Sequence, residues 1–206
     1  MAGYGLRPVG AGYAGLSGYN NGGFVEVPIS TDAAVDIFAG DFVEWVNDAS
    51  GSGSAGVVRQ ANNATGETPN TTDTTFGVAI GFRYVTSAGT PTWSQFYDQS
   101  SSNTDAYAFV CTDPNQIYLI QSDGATTIEN VGSNAPIDGF AVNEASSTLG
   151  LSGIQLDHSN IAVTAADCLR IVGIPDSGSN RSSTTPDVLV RINTGVLFSD
   201  QGTGIV

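Results

Sequence analysis

The sequence predicts an all-β fold, a single β-barrel or β-sandwich domain with an extended N-terminal arm. Three observations point there. Apolar residues recur in short alternating or β-branched runs. Gly, Pro, Asn and Asp interrupt those runs at frequent intervals. No segment sustains a helical period over more than about two turns. A chain of 206 residues with 40% hydrophobic content can bury a core without disulfides or metals. Short strands without a helical half assort into barrels or sandwiches.

Residues 1–23 read as the arm. Gly3, Gly5, Gly10, Gly12, Gly15, Gly18, Gly22 and Gly23 break every periodicity, and Tyr4, Leu6, Tyr13, Leu16 and Tyr19 are scattered among them. Such a segment cannot bury enough surface on itself to offset its ordering entropy. Tyrosine, however, offers a large contact area with few rotamers to freeze, which suits docking onto another protein. Tyr4, Leu6, Arg7, Pro8, Tyr13, Leu16 and Tyr19 are therefore the candidate contact residues, with a disordered tail as the plain alternative.

Residues 24–206 read as the β domain. FVEVPI (24–29) alternates, and the segment 34–38 leads into AGDFVEWV, where Phe42 and Trp45 lie in a short run after a Gly-Asp turn. The polar stretch 47–73 is a long surface loop holding at most one short strand, at Val57 and Val58. GVAIGFRYV (77–85), the turn SAGTP and TWSQFY (92–97) form the best hairpin candidate. AYAFVC (106–111) and QIYLIQ (116–121) read as a second pair across TDPN, where Pro pre-sets φ and Asp and Asn bond the local backbone. TLGLSGIQL (148–156), CLRIVGI (168–174) and VLVRIN (188–193) continue the pattern, with a polar loop at 175–186. The last residues, VLFSDQGTGIV, are left open between pairing and hanging free.

The charge is lopsided. Six Arg, no Lys and 20 acidic residues give a net charge of −14. Nucleic-acid binding is disfavoured, because affinity for phosphates rests on clustered cations, and anionic membranes are disfavoured for the same reason. Such a surface suits docking onto a neutral or basic protein face, or life in a salty medium that screens self-repulsion. No apolar run reaches the ~20 residues of a membrane span. The N-terminus lacks the layout of a secretory signal, so synthesis in a cytoplasm is expected. Cys111 and Cys168 lie far apart in sequence without CxxC partners, and read as buried thiols or as a disulfide formed after release.

A catalytic constellation is hard to assemble. His158, the only histidine, stands in LDHSN between Asp157 and Ser159, but no GxSxG elbow accompanies it, and a turn-side histidine is the better reading. One His and two isolated Cys serve zinc poorly. The acidic residues are dispersed, unlike calcium loops, so Asp123-Gly124 and Asp138-Gly139 read as turn corners. Trp45 and Trp93 sit inside strand-like runs and read as core residues. The glycines of GVAIGFRYV open no helix and cradle no phosphate. No catalytic residue, cofactor or metal is expected.

The order of RPV in the arm, AGDFVEW, a polar loop, FGVAIGFRYV with its TPTWSQF return, AYAFVCTDPNQIYLIQ and a closing DVLVRIN resembles a family of small virion structural proteins of tailed phages, many of them marine. The likeness runs over most of residues 1–195, and the Trp-bearing hairpin followed by the DPN turn is its most distinctive part. The resemblance implies a decoration (cement) protein that binds the outside of the major capsid lattice and rivets neighbouring subunits. It also implies a homotrimer at local three-fold positions, a location on the virion surface after synthesis in the host cytoplasm, and no catalytic residue to carry over. A tail, baseplate or head-fibre module is one alternative. A carbohydrate-binding module is another, marked by a surface cluster of Trp and Tyr around paired carboxylates.

Overall fold

The computed structural model describes residues 3–9, 23–30, 36–46, 57–60, 75–113, 115–138, 150–163, 167–176 and 178–193. Along the first half run β1 (Arg7–Pro8), β2 (Phe24–Pro28), β3 (Ile37–Phe38), β4 (Phe42–Val46), β5 (Val57–Gln60), β6 (Thr75–Val85), β7 (Pro91–Ser94) and β8 (Phe96–Tyr97). The second half carries β9 (Thr104–Cys111), β10 (Ile117–Gln121), β11 (Asn134–Ala135), β12 (Ile137–Asp138), β13 (Gln155–Leu156), β14 (Leu169–Gly173) and β15 (Asp187–Ile192). The only α-helix among the described residues is the single turn Gly178–Arg181. The fold is all-β, as predicted.

Two sheets carry it. One runs β2-β9-β6-β4-β5, with β7 added alongside β6. Its end strands meet where Ile29 bridges Val58 in parallel and Ser30 N–H donates to the Val58 carbonyl at 2.8 Å. The sheet thereby curls into a nearly closed barrel, which spends its edges on each other. The second sheet runs β1-β10-β15-β14-β11.

Because successive side chains alternate across a strand, the barrel wall is apolar on both sides. Val27, Val43, Val58, Ala79, Phe82, Ala108 and Val110 fill the interior, with Ile29, Ile37 and Tyr97. Their neighbours Phe42, Val78 and Cys111 belong to the opposite face, which packs against Leu6, Tyr118, Ile120, Leu169, Ile171 and Val190 of the second sheet. An irregular register between Ala79 and Gly81 lets both Ala79 and Phe82 reach the interior while Ile80 packs outside.

The hairpin of β6 and β7 forms as expected, with Gly89 at φ 80° in its turn. The expected pairing of β9 with β10 does not form. Both edges of β9 are taken, by β2 and β6, and β10 pairs with β1 and β15. The segment between them is a crossing from barrel to second sheet. Of the described part of the stretch 148–156, residues 150–156, Gln155–Leu156 is strand and Leu151 bridges Ala39. β5 lies in the predicted loop 47–73, whose other residues lie outside those described, as do the last residues from 194.

The largest correction concerns the arm. Residues 3–9 are part of the domain. β1 pairs with β10, and Leu6, 1% exposed, stands in the core between barrel and second sheet. Leu6 N–H donates to the Gly40 carbonyl at 3.0 Å and Val9 N–H to Ile117 at 3.0 Å. The glycines that spoil periodicity are what allow this. Gly5 (φ 71°) and Gly40 (φ 97°) pass so closely that a Cβ on Gly40 would lie 3.0 Å from the Gly5 Cα.

Candidate functional site

The residues with the most reactive chemistry are built into the scaffold. Asp157 accepts bonds from Ser159 and Asn160 in a local turn. His158 Nδ1 lies 3.3 Å from Thr126 Oγ1, and the His158 N–H donates to Asp123 at 2.7 Å. These contacts staple the 123–126 corner to the 157–160 turn and do not align Ser159, His158 and Asp157 as a proton relay. Cys111 and Cys168 are buried thiols that form no disulfide. Burial pushes the Cys111 thiol above its ordinary value, so it is a poor nucleophile. Among the described residues no cluster of three or more His, Cys, Asp or Glu is placed to hold a metal.

One carboxyl is deeply buried. Asp41 accepts bonds from Phe38 N–H at 2.9 Å and Gln60 Nε2 at 2.8 Å, with Ser152 as a third partner. It ties the corner between β3 and β4 to β5 and to the 150–153 segment, beside the Gly5–Gly40 crossing. Burial pushes its pKa up to about 6 against the pull of those hydrogen bonds.

The predicted contact residues divide. Tyr4 Oη donates to Asp187 Oδ1 at 2.6 Å, and the Arg7 guanidinium stacks 4.3 Å over the Tyr4 ring. Arg7 and Pro8 are exposed on the edge strand of the second sheet. Proline there removes a donor from an open edge, which discourages indiscriminate strand pairing. Leu6 is not available to a partner, because the chain's own core takes it. Tyr13, Leu16 and Tyr19 lie outside the described residues.

A second surface lies on the outer face of the barrel. Trp93, opposite Arg83 on β6, is 71% exposed. Its expected core role fails because β7 pairs with β6 at the barrel margin and Trp93 faces away from the interior that Phe82 enters. Trp45, by contrast, packs against the barrel core. Arg83 stands in turn opposite Tyr107, and Tyr107 opposite Pro28, so Trp93, Arg83, Tyr107 and Pro28 form one row across four strands. The Arg83 guanidinium lies 3.9 Å over the Tyr107 ring and forms an ion pair with Glu26 across β9. Phe109 pairs with both Gly81 and Glu26, and Phe24, 49% exposed, follows on β2.

Asp105 sits at the register shift opposite this row, at φ 53°, the one positive φ among the described non-glycine residues. The hydrogen bond to Glu26, with the charges of Glu26, Tyr107 and Asp105, raises the Arg83 pKa above its ordinary value. Trp93 was legible as a strand residue, but its direction depends on which strand pairs with β6. A third, smaller feature is a pocket of about 350 Å³ lined by Thr126, Thr127, Ile128 and Ile174 on the opposite sheet's side.

Comparison of the chain with protein families, curated proteins and solved structures finds no match.

Proposed function

We propose that the chain is a non-enzymatic virion structural protein, a decoration protein that binds the outer surface of a phage capsid and bridges major capsid subunits. The observation that carries this reading is the anchored N-terminal strand. β1 is fixed at a sheet edge by Leu6 beneath it and by the Tyr4–Asp187 bond, while Arg7 and Pro8 face outward. The sequence that follows, with Tyr13, Leu16 and Tyr19 among glycines, starts from a rigid footing on the surface. A docking segment held at one end loses less freedom on binding than a free tail. Repetition over a lattice multiplies its weak contacts, and a homotrimer at local three-fold positions supplies three of them.

The acidic, lysine-free composition fits a neutral or basic capsid face and argues against nucleic acid or membrane as partner. The test is co-sedimentation with expanded empty capsids of the encoding phage. Deletion of residues 1–23 is the wrong variant, because it removes Leu6 from the core. Deletion of 10–22 leaves the anchor and removes only the proposed contact segment. Binding by the full chain that is lost on this deletion supports the proposal. Full occupancy by the deleted form overturns it.

A further inference from the structure

The outer barrel face carries features that capsid docking through the N-terminal edge does not use. It belongs to a different sheet, and four of its aromatic residues, Trp93, Tyr107, Phe109 and Phe24, are at least partly exposed. They stand on paired strands, so the rings are held in place without a loop to order. In their midst the polar groups are already oriented. Arg83 is fixed by stacking on Tyr107 and by its pair with Glu26, and Asp105 adds a second carboxylate through a bulge conformation that residues other than glycine rarely take. Gly81 leaves a notch, since a Cβ there would meet only Ser94 O at 3.7 Å and Phe109 at 3.8 Å.

We propose that the barrel face formed by Trp93, Arg83, Tyr107, Glu26 and Asp105 is a binding site for neutral oligosaccharides. The chemistry of the face selects that occupant. A pyranose ring presents an apolar C–H face, which stacks on an exposed indole, and a rim of hydroxyls, which both donate to carboxylates and accept from a guanidinium. Arg83, Glu26 and Asp105 supply both kinds of partner beside the Trp93–Tyr107 row. Anionic glycans are disfavoured by the two carboxylates and by the net charge of −14. A protein partner is the poorer fit. Covering this face would strip water from an ion pair and an extra carboxylate at its centre, whereas interface cores are depleted in charge. A sugar replaces that water with hydroxyls.

The experiment probes the full chain against an array of neutral and anionic oligosaccharides, then titrates the neutral ones that bind while following tryptophan fluorescence. Trp93 is exposed and Trp45 is packed on the core, so stacking on Trp93 shifts emission to the blue in the unmutated chain. Trp93→Ala and Arg83→Met should each weaken binding by roughly tenfold or more, the scale of losing a stacked ring or a charged hydrogen bond. Their circular dichroism should stay unchanged, and Ile128→Ala, in the exposed turn between β10 and β11, should bind as the parent does. The proposal fails if no neutral oligosaccharide is retained, if only anionic glycans bind, or if binding leaves the fluorescence of Trp93 unmoved. It also fails if Trp93→Ala abolishes capsid binding while no glycan binds, which would make the face a protein-docking surface.

Discussion

Asp41 is a buried carboxyl held by three donors, and it sets a pH dependence that a surface aspartate would not. Its pKa rises from 3.8 to about 6 on folding, so between those values the folded protein binds the proton and the unfolded chain does not. The resulting stabilisation is complete below pH 3.8, is lost as pH rises through about 6, and amounts to about 3 kcal/mol for a shift of about two units. Asp41→Asn keeps an oxygen to accept from Phe38 N–H and Gln60, and its amide can donate to the Ser152 hydroxyl. Denaturant unfolding at several pH values should show the variant gaining on the parent between about pH 4 and 7, by up to ~3 kcal/mol. Parallel stability curves for the two proteins would contradict the burial argument. The role of Asp41 was not legible in AGDFVEW, where Gly-Asp reads only as a turn, because its burial depends on Gln60 and Ser152 arriving from distant segments.

At the scale of elements, the pattern of apolar and β-branched runs identified most strands, FVEVPI, the 77–85 run and DVLVRIN among them, the last two burying residues on both faces. It could not identify partners. β9 and β10 look like a hairpin because the local turn chemistry is right, but strand edges are chosen by the whole sheet, and closing the barrel gives both edges of β9 to β2 and β6. The same limit hid β1. Two residues flanked by glycines carry no period, yet Leu6 fills a gap between barrel and second sheet. Leu6→Ala should therefore cost ~2–5 kcal/mol, the range for emptying a buried leucine site. Thermal unfolding measures it, and a loss well under 1 kcal/mol would return residues 3–9 to the status of a loose arm. Of the contact residues, sequence reading found Arg7 and Pro8 at an exposed position and misjudged Leu6. It passed over Trp93 because an exposed tryptophan and a core one look alike within a strand pattern.

At the scale of the whole molecule, charge and architecture separate the work of stability from that of recognition. The barrel interior and the barrel–sheet interface hold the apolar core, and a net charge of −14 from six Arg and 20 acidic residues repels itself at low ionic strength. Added sodium chloride should raise the melting temperature up to the point where the Debye length falls to roughly 3 Å, near 1 M salt. A melting temperature that falls over this range would mean that attractive ion pairs such as Arg83–Glu26 outweigh the repulsion. The two surfaces lie on different sheets, one an edge strand leading into a Gly/Tyr segment, the other a rigid aromatic face. The proposed decoration role would use that division, with one side for the lattice and another free to meet the surroundings. The most direct measurement is co-sedimentation of the full chain and of the 10–22 deletion with expanded capsids, after both are shown to be folded by circular dichroism. Saturable binding by the full chain and none by the deletion is the expected result. Equal binding by the two, or no binding by the full chain, would contradict it.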